Sequence, residues 1–253
     1  SWWHLDFLCG LDGAERHNMD TGIAFAAVTT RNEGVQVTGK LGFSGHPMID
    51  HFRFVKDNTS KTAKMTIPGP SMLHYRGGRK MMNVGVYPDM DGFYADVGAA
   101  YAKAVKDFYA AGCRYVHMDA PGFTAYVDER SLERMRSRGE DPDKNLARAI
   151  KAENDVIRGF PGVTFALHIC RGNPRGSDPK TGKILPQWHR EGHYDAIAER
   201  LGEAFHRRVL DLGSKLAVDQ HNGIPKPGLQ FRMARFGCGK ILILLPRTIG
   251  QTQ

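Results

Sequence analysis

A histidine and a cysteine stand two positions apart near the end of an expected strand. The apolar pattern predicts that strand over Val163–Ile169, and one residue separates His168 from Cys170. Because side chains alternate along a strand, both should point to the same face of the sheet. Imidazole and thiolate together suit Zn²⁺, so the pair predicts a metal site. The spacing leaves open the alternative of a buried cysteine beside a hydrogen-bonded histidine.

A carboxylate and several polar side chains could complete such a site. Asp119 follows an apolar strand expected over Cys113–Met118, from where it could bind an ammonium group or a proton. A turn-forming or N-cap role is equally open for this aspartate. Arg171, Asn173 and Arg175 follow the histidine–cysteine pair and could donate to anionic oxygens, with surface solvation as the plain alternative.

A proline-rich loop supplies a third group of candidate residues. Pro68-Gly69-Pro70 follows a short strand expected over Lys64–Ile67. Prolines on both sides of a glycine exclude a helix there and also end the hydrogen bonding of a β-strand. The next residues, His74 to Gly78, combine an imidazole, a phenol and a guanidinium with accessible backbone amides. A planar or anionic ligand could lie against them.

The elements that must position these groups alternate between helices and strands. One apolar stripe predicts a helix over Asp91–Gly112, with Asp91 as N-cap and Gly112 as its stop, and a second helix is expected over Asp143–Arg158. Helix, strand, helix, strand implies parallel pairing. Loops at the carboxyl ends of parallel strands converge at one mouth, which predicts a shared site built from residues 68–74, 119–122 and 168–173.

The flanking segments carry weaker patterns. Alternation of β-branched and polar residues predicts a β-hairpin over Ile23–Phe43, turning near Asn32 to Gly34. A helix is expected near Tyr194–His206, and short strands near Val209 and over Lys240–Leu245. We expect one domain over residues 1–253, with an N-terminal segment at 1–63 that contains the hairpin, a core at 64–201 and an atypical tail at 202–253.

Composition excludes several classes of protein. The 253 residues are 41% hydrophobic and 25% charged, a globular balance without the charge excess of a disordered chain. No dinucleotide-binding, P-loop or serine-hydrolase glycine pattern occurs. Four widely spaced cysteines without a CxxC pair argue against a disulfide framework and a zinc ribbon, and favour a reducing compartment.

Charge and hydropathy bear on partners and location. The 35 Lys and Arg residues against 27 Asp and Glu give a net charge of +8, which should attract polyanions such as nucleic acid, phosphates or carboxylate-rich molecules. No apolar run approaches the roughly 20 residues of a bilayer crossing, and the start does not read as a signal peptide. We therefore expect a cytoplasmic protein with no membrane partner, and no nucleic-acid module is recognised.

Five segments in order give the chain a family resemblance. They are SWWHLDFLCGLDG, VTGKLGFSGHPMIDHFRFVK, KMTIPGPSMLHYRGGR, DFYAAGCRYVHMDAP and FALHICRGNPRG. Over about residues 1–201 the sequence resembles the cobalamin-independent methionine synthase family, specifically its short single-barrel members. The combination of the TIPGPSML loop with HxCRGN carries this resemblance.

The resemblance implies a fold, an activity and a set of residues. The fold would be a TIM-type (β/α)8 barrel with a hairpin insertion near its N-terminus. The activity would be zinc-dependent methyl transfer from a methyltetrahydrofolate with a glutamate tail to the thiol of homocysteine. His168 and Cys170 look like two zinc ligands, and Asp119 looks like the catalytic aspartate that binds the substrate amino group. The remaining substrate-binding candidates are Thr66, Pro68 and Ser71 of the loop, with Arg171 and Asn173.

The sequence also departs from the family pattern. Family members carry a glycine-serine loop before the region where this chain starts, so we expect the barrel to lack its first and last strands. A glutamate at the sixth strand and a cysteine after the last strand are not cleanly present. Asp211 could replace the glutamate, whereas Cys238 should not be the missing ligand because it precedes the expected seventh strand, Gly239–Leu245. With so incomplete a ligand set we expect weak or absent turnover.

Two other functions stay open at this point. A related zinc enzyme could alkylate a different thiol, such as coenzyme M, in which case Asp119 would have no ammonium group to bind. A non-catalytic basic protein could bind an acidic partner through its net charge of +8. Competition between thiols would distinguish the first alternative from methyl transfer to homocysteine. Salt-dependent binding of random oligonucleotides would support the second.

Overall fold

The computed structural model describes residues 3–19, 31–172, 180–183, 190–198, 200–201, 232–236 and 240–244. Six α-helices and seven β-strands are described there, together with 3₁₀ helices at Arg79–Met81 and Pro121–Tyr126. The helices are α1 (Trp3–Leu8), α2 (Met48–Asp57), α3 (Met72–Gly77), α4 (Met90–Ala110), α5 (Glu129–Ser137) and α6 (Pro142–Ile157). The strands are β1 (Asp12–Asn18), β2 (Glu33–Gly42), β3 (Met65–Pro68), β4 (Tyr115–Asp119), β5 (Thr164–Cys170), β6 (Arg232–Phe236) and β7 (Lys240–Leu244).

The central sheet has the order β3-β4-β5-β7-β6. Strands β3, β4 and β5 are parallel, which confirms the pairing expected from the helix–strand alternation. The strand expected over Gly239–Leu245 is present as β7, but it pairs antiparallel with β5 and with β6, so its expected role as the seventh parallel strand of a barrel was wrong. The three residues between β6 and β7 are too few for the crossover that a parallel pair needs. These five strands form an open mixed sheet, β1 and β2 form a separate two-stranded sheet, and barrel closure is not seen in the described part of the chain.

The two faces of the parallel strands differ in polarity. Apolar residues of one face are buried, among them Ile67, Met118 and Leu167. The opposite face carries half-buried polar side chains, with a strictly alternating burial pattern along β4. Because this alternation has period 2, all polar side chains of one strand share a face. The three parallel strands therefore carry polar side chains on one face and core residues on the other.

Helices α4 and α6 pack against each other. The stripe predicted for α4 is buried as expected, from Phe93 to Phe108. Gly98 lies opposite Asp155 at this contact, where an added Cβ would be 3.6 Å from the Asp155 Cβ, an ordinary van der Waals distance. The helix ends at Ala110, and Gly112 follows with a φ of 95°, the left-handed conformation of a helix stop.

The N-terminal hairpin differs from its predicted position. Strand β2 lies within the predicted range, but its antiparallel partner is β1, with Asn18 opposite Glu33. Residues 20–30, where the first strand was expected, lie outside the described residues. The sequence of β1, DGAERHN, has no β-branched residue and therefore gave no strand signal. A membrane-crossing helix, long and apolar throughout, does not occur in the described ranges.

The N-cap of α4 is Asp89, not Asp91 as expected from the sequence. The Asp89 carboxylate accepts a hydrogen bond from the Gly92 N–H at 2.8 Å, whereas Asp91 lies inside the first turn and pairs with Arg148. We expect Asp89→Ala to lower the free energy of unfolding by about 1 kcal/mol through loss of the cap. Asp91→Ala is the matched control. It removes only an exposed ion pair, so it should lower the free energy of unfolding by less than Asp89→Ala does. Urea denaturation of both variants checks this order, and an equal or larger loss for Asp91→Ala would contradict it.

Candidate functional site

The three predicted loops begin side by side at one edge of the sheet. The last residue of β3, Pro68, is in register with Asp119, which is in register with His168. Backbone hydrogen bonds continue the alignment, from the Gly69 N–H to the Asp119 carbonyl at 2.8 Å and from the Ala120 N–H to the His168 carbonyl at 3.0 Å. The sequence-based prediction of a shared mouth is thus confirmed for these loop starts.

His168 is held by the carboxylate of Asp119. The His168 Nδ1 and Asp119 Oδ1 atoms are 2.5 Å apart, and the two side chains are only 22% and 24% exposed. The Asp119 hydrogen bond is the main cause that raises the pKa of His168 to about 9, followed by the Cys170 side chain. The electrostatic influence of both partners agrees with a common face for Asp119, His168 and Cys170, as period 2 predicts.

The second nitrogen of this histidine has a different environment. His168 Nε2 is buried and has no hydrogen-bond partner of ordinary geometry among the described residues, although the Cys170 side chain is near enough to raise the pKa of this imidazole. A buried polar atom without a partner is costly, because it has lost water without regaining a hydrogen bond. The Cys170 thiol is a half-buried free cysteine beside it. This nitrogen therefore lacks a partner that a bound ligand could supply.

Two neighbouring side chains of the site are of the kinds that bind zinc, fewer than the three or four ligands of a complete zinc site. A ligating histidine ordinarily donates its other N–H to a carboxylate, which is the role Asp119 plays for His168 here. His168 Nε2 and the Cys170 sulfur are then two donors of the kind that zinc prefers. Within the described ranges, no cluster of three or more His, Cys, Asp or Glu side chains could hold a metal. Asp211 and Cys238, the other sequence candidates, lie outside the described residues.

His117 belongs to the same face and was not singled out from the sequence. Its ring lies 6.0 Å from that of His168 in an edge-to-face arrangement. Its Nδ1 is 3.3 Å from Lys64 Nζ, and burial, followed by Lys64, lowers the pKa of His117 to about 4. A neutral imidazole thus adjoins the candidate site. The signal that could have found it is its position two residues before Asp119 on the same strand.

The loop after β3 rests on a buried acid. The Ser71 hydroxyl donates to Glu153 Oε1 at 3.1 Å, and Glu153 is completely buried on α6. Burial raises the pKa of Glu153 to about 8, so the group is largely protonated at neutral pH. A Cβ at Gly69 would lie 2.5 Å from Glu153 Oε1, so only glycine lets the loop pass this carboxyl group.

The other predicted substrate-binding residues are placed unevenly. Thr66 lies on the half-buried face of β3, and Pro68 ends that strand. Ser71 is engaged by Glu153, as described above. Arg171 follows β5, and its Nη1 donates to the Gly192 carbonyl at 3.4 Å. Asn173 and Arg175 lie outside the described residues, so their roles stay predictions.

Asp119→Asn should weaken zinc binding without abolishing it. The amide keeps the size of the carboxylate but loses the charge that orients His168 and increases its basicity. We expect a loss of about 10- to 100-fold in zinc affinity, the usual effect of removing such a carboxylate. Competition against a chromophoric chelator measures the change. Asp143→Asn is the control, since Asp143 is an exposed partner of Arg200, and an unchanged affinity in Asp119→Asn would contradict the assigned role.

Comparison with known proteins gives curated relatives and a solved structure. Two uncharacterized proteins of Bacillus subtilis (strain 168), YxjH and YxjG, are each 38% identical over 203 residues, 79% of this chain and 50% of the relative. The chain therefore spans about half the length of the curated relatives it matches. A provisionally assigned vitamin-B12-independent methionine synthase from Listeria monocytogenes is 32% identical with a TM-score of 0.52. That alignment covers 68% of this chain and 46% of the other. No protein-family model matches the sequence.

Proposed function

We propose that the chain belongs to the cobalamin-independent methionine synthase family and takes part in zinc-dependent transfer of a methyl group from 5-methyltetrahydrofolate to homocysteine. The observation that carries this proposal is His168, which Asp119 orients, which interacts with the Cys170 side chain, and whose buried Nε2 has no partner of ordinary hydrogen-bond geometry among the described residues. The similarity to the Listeria structure supports the methionine synthase-like assignment.

His168 and Cys170 would hold the zinc ion in this proposal. Zinc supplies one kind of chemistry when bound: it keeps a coordinated thiol deprotonated, and the thiolate is the nucleophile. The protein fixes the orientation of the imidazole through the Asp119 carboxylate, so that Nε2 and not Nδ1 is presented. Such orientation avoids an entropic cost at the moment of reaction.

Asp119 has a second oxygen that can serve the substrate. Oδ1 is engaged by His168, whereas Oδ2 makes no hydrogen bond within the described part of the chain. The side chain is 24% exposed at the mouth, so an ammonium group could reach it. In the proposal one carboxylate both orients the zinc ligand and binds the amino group of homocysteine. Charge-assisted hydrogen bonds of this kind are about twice as strong as neutral ones.

The loop residues line the other side of the mouth. Thr66, Pro68 and Ser71 lie on or after β3, whose end adjoins Asp119 in the sheet. We propose that this side receives the folate, whose tertiary amine must be protonated before it leaves. Glu153 shapes this side through Ser71, since its carboxyl group accepts the hydrogen bond that the Ser71 hydroxyl donates.

A thiol competition experiment tests the proposal. The zinc-loaded chain is titrated with homocysteine, with 4-mercaptobutyrate, which lacks only the amino group, and with coenzyme M. We expect homocysteine to bind about tenfold more tightly than 4-mercaptobutyrate, because only homocysteine offers a cation to Asp119. Tighter binding of coenzyme M would instead favour the alternative thiol alkyltransferase. Failure of all three thiols to bind would overturn both functions.

A further inference from the structure

A buried hydroxyl lies against the last residue of β5. Thr124, in the second 3₁₀ helix, is 0% exposed, and its hydroxyl donates to the Cys170 carbonyl at 2.9 Å and to the Pro121 carbonyl at 2.7 Å. A threonine hydroxyl has a single proton, so these two carbonyls share it. Because water does not reach the group, its hydrogen bonds must come from the protein. The Thr124 hydroxyl therefore ties the segment after β4 to the end of β5.

The Thr124 hydroxyl takes the place of a backbone donor. A hydrogen bond from the Ala120 N–H to the His168 carbonyl, 3.0 Å long, extends the pairing of β4 with β5. In a parallel pair the next donor would be the Gly122 N–H and the next acceptor the Cys170 carbonyl, each two residues further along. The chain has left the strand at that point, because the 3₁₀ helix begins at residue 121. A side chain thus continues the pairing that the backbone no longer provides.

The segment after β4 acts on both candidate zinc donors of β5. At its start, Asp119 orients the His168 imidazole through the contact of 2.5 Å described above. Five residues later, Thr124 fixes the backbone of Cys170. The Cys170 side chain in turn interacts with His168, since it contributes to the raised pKa of that imidazole. One segment therefore holds one donor through its side chain and the other through its backbone.

We propose that Thr124 is a positioning residue, which fixes Cys170 so that the Cys170 sulfur and His168 Nε2 can bind one zinc ion. This role rests on the proposed function, in which these two groups hold the metal. Cys170 is the last residue of β5, and the end of an element opens more readily than its middle. A sulfur that is already held in place loses less conformational entropy when the metal binds.

Removal of the Thr124 hydroxyl should weaken zinc binding. Thr124→Val keeps the shape of the side chain but cannot donate, so the Cys170 carbonyl loses a partner that water cannot replace. We expect a loss of about tenfold in zinc affinity, the lower end of the usual effect for residues that orient a ligand. Thr124→Ser keeps the hydroxyl and should bind zinc as tightly as the unaltered chain. Competition of the full chain against a chromophoric chelator measures these affinities.

Thr124→Ser and Thr124→Ala repeat the comparison with smaller side chains. These two variants differ only in the hydroxyl, so the ratio of their zinc affinities should again be about ten. This pair decides the question if circular dichroism shows that Thr124→Val does not fold. Cobalt(II) in place of zinc gives a second measurement, because the charge-transfer absorption from thiolate to cobalt reports the sulfur donor. At equal cobalt concentration this absorption should be weaker in Thr124→Val and Thr124→Ala than in Thr124→Ser.

Tyr87→Phe is the matched control. The buried Tyr87 hydroxyl accepts from the Leu41 N–H at 2.7 Å and donates to Asp96 at 2.8 Å, so it lies between β2 and α4. Its removal takes away a buried hydroxyl that does not contact Cys170. We expect Tyr87→Phe to lower the free energy of unfolding and to leave the zinc affinity unchanged.

The unaltered chain separates failure of this role from failure of the proposed function. Absence of zinc binding in the unaltered chain would overturn the proposed function and the role of Thr124 with it. Equal zinc affinity in the unaltered chain and in Thr124→Val would overturn the role of Thr124 alone. Equal losses in Thr124→Val and Thr124→Ser, or a loss as large in Tyr87→Phe, would do the same.

Discussion

Cys170→Ser and His168→Ala should each leave the purified chain essentially without zinc. Removing a carboxylate that only orients a ligand usually costs about 10- to 100-fold in metal affinity, so loss of a ligand itself should cost at least about 100-fold. In Cys170→Ser the ion would lose its sulfur donor. His168 Nε2 would then be the only proposed ligand left among the described residues, and one ligand does not hold zinc. Elemental analysis of protein purified with added zinc measures the effect.

Cys9→Ser is the matched control for the loss of zinc. Cys9 is also a half-buried free cysteine, and burial raises its pKa to about 11, so it remains a thiol. A cysteine with so high a pKa is a poor zinc ligand, because the thiolate is the species that binds. We expect the zinc content of Cys9→Ser to match that of the unaltered chain. Equal zinc content in Cys170→Ser and Cys9→Ser would contradict the assignment of the site.

Glu153→Gln should become more stable than the unaltered chain as the pH rises. The folded-state pKa of Glu153 is about 8, against an ordinary value of 4.5, so the folded protein keeps a proton that the unfolded chain releases between these values. The contribution of the protonated acid is complete below pH 4.5 and is lost as the pH rises toward 8. The amide introduced by Glu153→Gln would keep an acceptor for Ser71 and carry no ionisable proton.

The magnitude follows from proton linkage. Between about pH 5 and pH 8, the free energy of unfolding of the unaltered chain should fall relative to Glu153→Gln by about 1.4 kcal/mol per pH unit, or about 4 kcal/mol in all. Urea denaturation at several pH values measures the difference. Asp155→Asn is the control, since Asp155 is on the same helix and ion-paired with Lys151. The difference in free energy of unfolding between this variant and the unaltered chain should stay constant over this pH range. If the difference in free energy of unfolding between Glu153→Gln and the unaltered chain also stayed constant, Glu153 would not be a buried acid with a raised pKa.

Local signals in the sequence were sufficient for the elements that bring the site together. The apolar stripe of α4 and the stop at Gly112 are local features, and both lie where they were expected. The convergence of the loops after β3, β4 and β5 followed from helix–strand alternation, since parallel strands end at the same edge. The face shared by His168 and Cys170 followed from the period of a strand.

Features that depend on distant partners were not accessible from the sequence. Glu153 looks like an ordinary helix residue until α6 places it under the loop that contains Ser71, 82 positions earlier. The N-cap error arose because Asp89 and Asp91 are both good caps, and only the backbone conformation decides between them.

X-ray absorption at the zinc edge, with and without homocysteine, tests the central claim most directly. We predict that zinc in the free chain has at least one sulfur neighbour at about 2.3 Å, from Cys170, and imidazole scattering from His168. Homocysteine should then add one sulfur to the zinc. An unchanged sulfur count on addition of homocysteine, or a free-chain spectrum without sulfur, would contradict thiol activation at this site.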